Sequence, residues 1–171
     1  MTEQHKTKLT SSEIASIWTS YINDSMSKCV LGYFLKHVED DEIRSIVQFA
    51  YDLSATHIEK LTAIFQEEQI PTPTGFTDDD VNMNASRLYT DPFMLTYINH
   101  MAKIGLLGYS SFVSLSARDD MREFYRAGLN ETSELFERST KLSLSKGIFV
   151  RAPYIAYPTE TDYVDNKTYL N

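Results

Sequence analysis

Residues 70–91 constrain the fold most, because they separate two helix-patterned regions by 22 residues with no helical period of their own. The segment holds Pro71, Pro73, Gly75 and the acidic triplet Asp78, Asp79 and Asp80, with a candidate helical turn at residues 81–88. Connections between bundle helices usually take only about 2–8 residues. The preceding helix would be about 45 Å long at 1.5 Å per residue, and 22 extended residues reach about 70 Å. The segment can therefore run the whole length of a bundle, which would make the helices on either side of it parallel.

The spacing of apolar residues predicts four helices, at about 11–38, 41–69, 92–115 and 118–146. The first opens at Thr10, whose TSSE continuation fits a capping box closed by Glu13. Its expected inward stripe is Ile14, Trp18, Tyr21, Ile22, Ser25, Cys29, Gly32 and Tyr33. The short acidic turn before the second helix makes the first two antiparallel neighbours, and the second carries Ile43, Ile46, Val47, Ala50, Leu53, Ser54, His57, Leu61, Ile64 and Phe65 on one face. Asp91-Pro92 starts the third helix as cap and first-turn proline, with Met94, Tyr97, Ile98, Met101, Ile104, Gly105, Gly108, Phe112 and Leu115 inward. Gly147 closes the fourth. Residues 148–171 are expected to lie extended along the bundle, anchored by Phe149, Tyr154 and Ile155. One domain of 171 residues results, all-α, in which two helical hairpins joined by a long crossover have the topology of a ferritin-like four-helix bundle.

That architecture raises the question of what His57 does on an inward face. Di-metal members of the class use a carboxylate from each of two helices and a Glu-x-x-His pair from each of the others, because two cations about 3.5–4 Å apart need bridging anionic charge. Here the pair is Ser54-x-x-His57, with a hydroxyl in the carboxylate position. The fourth helix points Gly128, Thr132 and Leu135 inward, with Glu131 on the flank and Glu134 further out. The first offers Ser25 and Cys29, and the third Met101, Ile104 and Gly105. No carboxylate falls on an inward stripe, so neither a bridged di-metal centre nor any other cofactor is expected. The residues instead predict a core polar cluster of His57, Ser54, Cys29, Ser25 and Thr132, with a neutral imidazole bonded to one of these hydroxyls or to a tyrosine. A mononuclear metal site would have to be drawn from His57, Cys29 and His100.

A formal charge of -8 and a pI near 4.9 give a surface that repels phosphate, and no Lys/Arg cluster interrupts it, so nucleic acid is not an expected partner. The amino terminus lacks the apolar stretch of a signal peptide, and no apolar run approaches the roughly 18 residues of a membrane span. These features predict an intracellular chain without membrane insertion. A single cysteine excludes an internal disulfide and a thiolate-rich zinc site. The run DDDVNM at 78–83 begins like a calcium loop, but Met83 and Tyr89 stand where glycine and glutamate are needed. Eleven tyrosines and a tryptophan suggest contact surfaces.

The tail KGIFVRAPYIAYPTETDYVDNKTYL, the THIEKL stretch of the second helix and the LSARDDM joint before the fourth together resemble an uncharacterised family of endospore-forming bacteria similar to spore coat protein F. The resemblance covers essentially the whole chain and implies a ferritin-like bundle. Longer members carry two such units in tandem, so it also implies a single-unit member that pairs as a homodimer. A structural or interaction role in the mother-cell compartment and the spore coat follows, with other coat proteins as partners and without metal-dependent catalysis. The alternative is a diverged ferritin-like metal- or small-ligand-binding protein, or an oxidoreductase, that uses His57.

Overall fold

Each helix begins where a side chain satisfies the free N–H groups of its first turn. In the computed structural model, which describes residues 7–157, α1 (Ser11–His37) starts at the Thr10 capping box, with the Glu13 carboxylate accepting from the Thr10 N–H at 2.7 Å. The Asp40 side chain caps α2 (Asp41–Glu67), and Thr90, with Pro92 in the first turn, caps α3 (Asp91–Leu115). α4 (Asp119–Ser145) has no cap of its own. Its cap comes from α1 instead, because Glu13 also accepts from the Ala117 and Arg118 N–H groups, both at 2.8 Å. Gly147 ends α4 at φ 69°, and the Ile148 N–H donates back to Ser143 O at 3.0 Å. The described residues contain no strand.

Ion pairs hold the two poles. At the amino-terminal pole Arg118 pairs with Glu68 at 2.7 Å, bringing the end of α2 to the start of α4. At the opposite pole Lys146 reaches Asp40 and Glu42, each at 2.7 Å. There Asp91 also accepts from the Asp40 N–H at 2.8 Å, bringing the start of α3 to the α1–α2 turn. α1 and α2 are thus antiparallel, as are α3 and α4, while residues 68–90 travel from one pole to the other and leave α2 and α3 parallel. α1 packs mainly on α2 and α3 mainly on α4. α1 meets α3 only sparsely.

The crossover is strapped to the outer flank of α1. The Phe76 N–H donates to Ser25 Oγ at 3.1 Å, and the Cys29 thiol to Thr77 O at 3.2 Å. Tyr33 Oη donates to Ser86 O at 2.6 Å and accepts from the Leu88 N–H at 3.0 Å. At Gly75 the backbone passes so close that a Cβ would lie 2.8 Å from both Ser25 Oγ and the Tyr21 ring. The helical turn of this segment is a 3-10 turn at Asp78–Asp80; residues 81–88, where one was expected, form none.

This strap corrects the expected inward stripes. Ser25, Cys29 and Tyr33 face the crossover, whereas the interior face of α1 carries Glu13, Ile17, Ser20, Asp24, Leu31 and Phe34. Trp18, expected inside, is 47% exposed. On α3 the buried residues are Met94, Leu95, Ile98, Asn99, Ala102 and Tyr109, while Tyr97, Ile104 and Leu115 turn outward. The tail is corrected as well: Ile148 packs on the core and Phe149 is half-buried, but Tyr154 and Ile155 are over 80% exposed and anchor nothing. The remainder of the expected tail, residues 158–171, lies outside the described residues. Among those described, no helix is long and apolar enough to cross a membrane.

Burial concentrates in two apolar clusters. One, near the Asp40 pole, contains Leu31, Phe34, Val47, Leu95 and Ile98. The other, near the amino-terminal pole, contains Ile17, Leu61, Phe65, Met121 and Tyr125.

Glu13 joins two chain segments that are distant in sequence. Burial alone would raise its pKa, but the N–H groups of Arg118, Thr10 and Ala117 and the Thr10 hydroxyl outweigh that and hold it below the ordinary glutamate value. A depressed carboxylate contributes stability above its unfolded pKa of about 4.3, and that stability is lost as the pH falls through the folded value. Glu13→Gln is expected to cost about 1–3 kcal/mol at pH 7 in urea denaturation, with the gap from wild type closing at pH 3. Equal midpoints at pH 7 would contradict this role.

Candidate functional site

Midway between the apolar clusters each helix contributes one ionisable side chain to a single layer: Asp24 from α1, His57 from α2, Tyr109 from α3 and Glu131 from α4. His57 Nε2 lies 2.8 Å from Glu131 Oε2. An ionised carboxylate can only accept, so Nε2 carries the proton. Nδ1 lies 2.8 Å from Tyr109 Oη and 3.7 Å from Asp24 Oδ1. In the neutral ring Nδ1 accepts from the tyrosine hydroxyl, and in the charged ring it donates. The His57 side chain is 4% exposed, Asp24 14% and Glu131 32%, so the layer is dry at the imidazole and opens toward solvent at Glu131.

Close helix approach seats these groups. A Cβ on Gly105 would come 2.9 Å from Thr132 Cγ2, and one on Gly128 would come 2.8 Å from the Tyr109 ring. The absence of side chains at these two positions lets α3 and α4 bring Tyr109 and Thr132 to the level of His57.

Electrostatics favour a proton on the layer. Burial works against a charged His57, but the hydrogen bonding and attraction of Asp24 and then Glu131 outweigh it, so the ring titrates above the usual histidine value. Burial raises Asp24, with His57 and Ser54 countering only part of the effect. Burial, followed by the field of Asp24, pushes Tyr109 far above the usual phenol value, so it stays a neutral hydroxyl. The layer can therefore hold and pass a proton and can offer hydrogen bonds.

Beside it lies a cavity of about 410 Å³, between α1 and α3, which meet only sparsely. Asp24, His57, Tyr109, Ser54, Ser20 and Thr132 are among its polar lining residues, and Met26, Tyr97, Met101 and Ile104 among its apolar walls. The structure thus brings His57, Ser54 and Thr132 of the expected cluster to one cavity. It separates Ser25 and Cys29, which hold the crossover on another face of α1. Cys29 lines a different cavity, of about 500 Å³, beneath the crossover. Burial and then Asp78 and Asp80 push its thiol upward, away from the thiolate.

The expectation that no carboxylate points inward is overturned by Asp24 and Glu131. Their arrangement still does not suit a metal ion: His57 directs one nitrogen at Glu131 and the other toward Asp24 and Tyr109, so the carboxylates sit on opposite edges of the ring. A cation held by either nitrogen would miss one of them. His100 is exposed on α3 and comes near neither His57 nor Cys29. Among the described residues no three His, Cys, Asp or Glu side chains form a group that could hold a metal.

Sequence reasoning missed Asp24, Tyr109 and the inward turn of Glu131. The available signal was a second stripe on α1, Ile17-Ser20-Asp24-Leu31, hidden by a more apolar flank that faces the crossover. On α3 the steps from Ala102 to Gly105 and Tyr109 mark the same level.

These features define an all-α protein of two antiparallel hairpins joined by a pole-to-pole crossover, with an ionisable layer across its middle. The chain belongs to DUF3231, a family of proteins of unknown function, whose model matches residues 1–160. Among solved structures it is similar to a candidate spore coat protein of Bacillus halodurans C-125, with 18% identity, 88% of this chain and 98% of that chain covered, and a TM-score of 0.78. It is also similar to a conserved hypothetical protein of Mycobacterium tuberculosis, with 12% identity, coverages of 77% and 97%, and a TM-score of 0.64. At these identities the likeness establishes the fold alone. No curated protein matches the chain.

A raised His57 contributes stability that is fully present below its unfolded pKa of about 6.5 and lost as the pH rises through the folded value, and Asp24 is the first cause of that rise. The urea midpoint is expected to be higher at pH 6 than at pH 8.5, with a flatter dependence in Asp24→Asn. Parallel pH profiles for the two proteins would refute the coupling.

Proposed function

We propose that this chain is a structural protein of the bacterial spore coat that acts by self-association and not by catalysis. The observation that carries the reading is the outer face of α3. Phe93, Tyr97, His100, Ile104 and Leu107 follow one another in alternating steps of four and three residues, the spacing of a coiled-coil seam. Yet this seam faces outward, with Phe93 46%, Ile104 70% and Leu107 75% exposed. Tyr89 stacks on Phe93 at 4.6 Å between ring centroids and extends the strip. Helices bury such a row against another helix, and among the described residues none covers it. A second copy offers the same row, and a two-fold pairing makes it self-complementary.

The coat assignment draws support from the fold shared with the candidate coat protein of Bacillus halodurans and from the sequence resemblance to spore coat protein F. The exposed aromatic tail, with Tyr154 and Tyr157 at 83% and 80%, supplies further contact surface. The reading places the protein in the mother cell and then in the coat, as a homodimer that adds to other coat proteins.

A fluorescent fusion expressed in a sporulating endospore former is expected to form a shell around the forespore; fluorescence that stays diffuse throughout would refute the coat assignment. In light scattering the wild-type chain is expected to have the mass of a dimer, and Ile104→Glu with Leu107→Glu that of a monomer. A monomeric wild type would refute the seam.

A further inference from the structure

The cavity between α1 and α3 has a polar floor and apolar walls. Among its lining residues Asp24 and His57 are the only ionisable groups of the Asp, Glu, His, Lys and Arg types, and neither Lys nor Arg lines it. The Asp24 carboxylate is well buried, and its neighbours, His57 Nδ1 at 3.7 Å and the Ser54 side chain, leave lone pairs to spare, since a carboxylate offers about four acceptor sites. Ser20 is 4% exposed and lines the same cavity, with its hydroxyl beside that of Tyr125.

We propose that this cavity is a binding site for a small amphipathic amine, whose ammonium group pairs with Asp24 and whose aromatic or branched body lies among Met26, Tyr97, Met101 and Phe112. The volume, about 410 Å³, lies within the usual range of about 300–1,000 Å³ for small-molecule sites. An anionic head group is disfavoured, because it would meet Asp24 with no lysine or arginine to receive it. Asp24 and Glu131 share one imidazole between them, at 3.7 and 2.8 Å, and an ammonium group at Asp24 brings the second positive charge that two carboxylates call for. The net charge of -8 also draws cations toward the protein. Tyr97 and Ile104 stand at the rim and belong to the outer seam of α3, so the mouth opens beside the surface proposed for pairing. The site itself is built from one chain and does not rest on that pairing.

The test is calorimetric titration of the full chain with phenethylamine, tryptamine and hexylamine, with 3-phenylpropionate as the matched anion and the oligomeric state followed in the same samples. Saturable binding of at least one amine at millimolar concentration is expected, with none for the anion. Asp24→Asn is expected to weaken it by roughly tenfold to a hundredfold, the loss of a charge-assisted hydrogen bond. Amide shift mapping on the wild-type chain gives a second measure that needs no variant: changes should gather at Ser20, Asp24, Gly105 and Thr132. The proposal is overturned if none of the amines saturates, if the anion binds as well, if Asp24→Asn binds equally, or if the shifts spread along the outer face of α3. Failure here leaves the pairing of chains standing, since the oligomeric mass is read separately.

Discussion

The crossover must satisfy its own backbone. A segment that runs from pole to pole without regular structure, apart from one 3-10 turn, has N–H and C=O groups that need partners outside itself. α1 provides them through Ser25, Cys29 and Tyr33, and one whole flank of that helix is given over to the strap. The remaining flank carries Ile17, Ser20, Asp24 and Leu31 into the bundle. α1 is then held on two sides, by α2 and by the crossover, and meets α3 only sparsely. The cavity beside His57 occupies that thin interface.

This arrangement explains which parts of the structure could be read from the sequence. Helix starts were legible because they depend on neighbours in the chain: Thr10 with Glu13, and Asp91 with Pro92. The length of residues 70–91 gave the parallel relation of α2 and α3 for a similar reason, since reach is a property of the chain alone. The facing of α1 was not legible, because a helix covered on two sides shows a broad apolar surface with no single centre. The more apolar flank, with Tyr21, Ser25 and Cys29, looked like the interior and belongs to the strap. On α3 the outward row of Phe93, Tyr97 and Ile104 misled for a different reason: it is as apolar as a core-facing row. His57 was legible as an inward residue of α2, whereas Asp24 and Glu131 needed the rotation of their helices about the bundle axis, which only packing decides.

The layer at mid-bundle sets stability against composition. Two apolar clusters flank a plane in which an imidazole, two carboxylates and a phenol meet, and a dry plane of that kind costs free energy unless every donor finds an acceptor. His57 meets that condition at both nitrogens, while Asp24 retains unused acceptor capacity. Replacing such a layer with aliphatic residues often stabilises a bundle. A sequence that keeps it retains a polar centre reached from the surface between α1 and α3.

α1 begins at the pole where Glu13 meets Ala117 and Arg118, and α4 ends at the other pole, where Lys146 meets Asp40. The bundle is therefore a polar rod with a distinct head and foot, about 40 Å apart at the length of its helices. In the pairing proposed above, contact through the flank of α3 relates two rods by a two-fold axis and closes on itself. Contact from the foot of one rod to the head of the next keeps all rods pointing one way and has no natural end. A bundle whose first helix starts at one pole and whose last helix ends at the other keeps side-to-side and end-to-end contacts on separate surfaces.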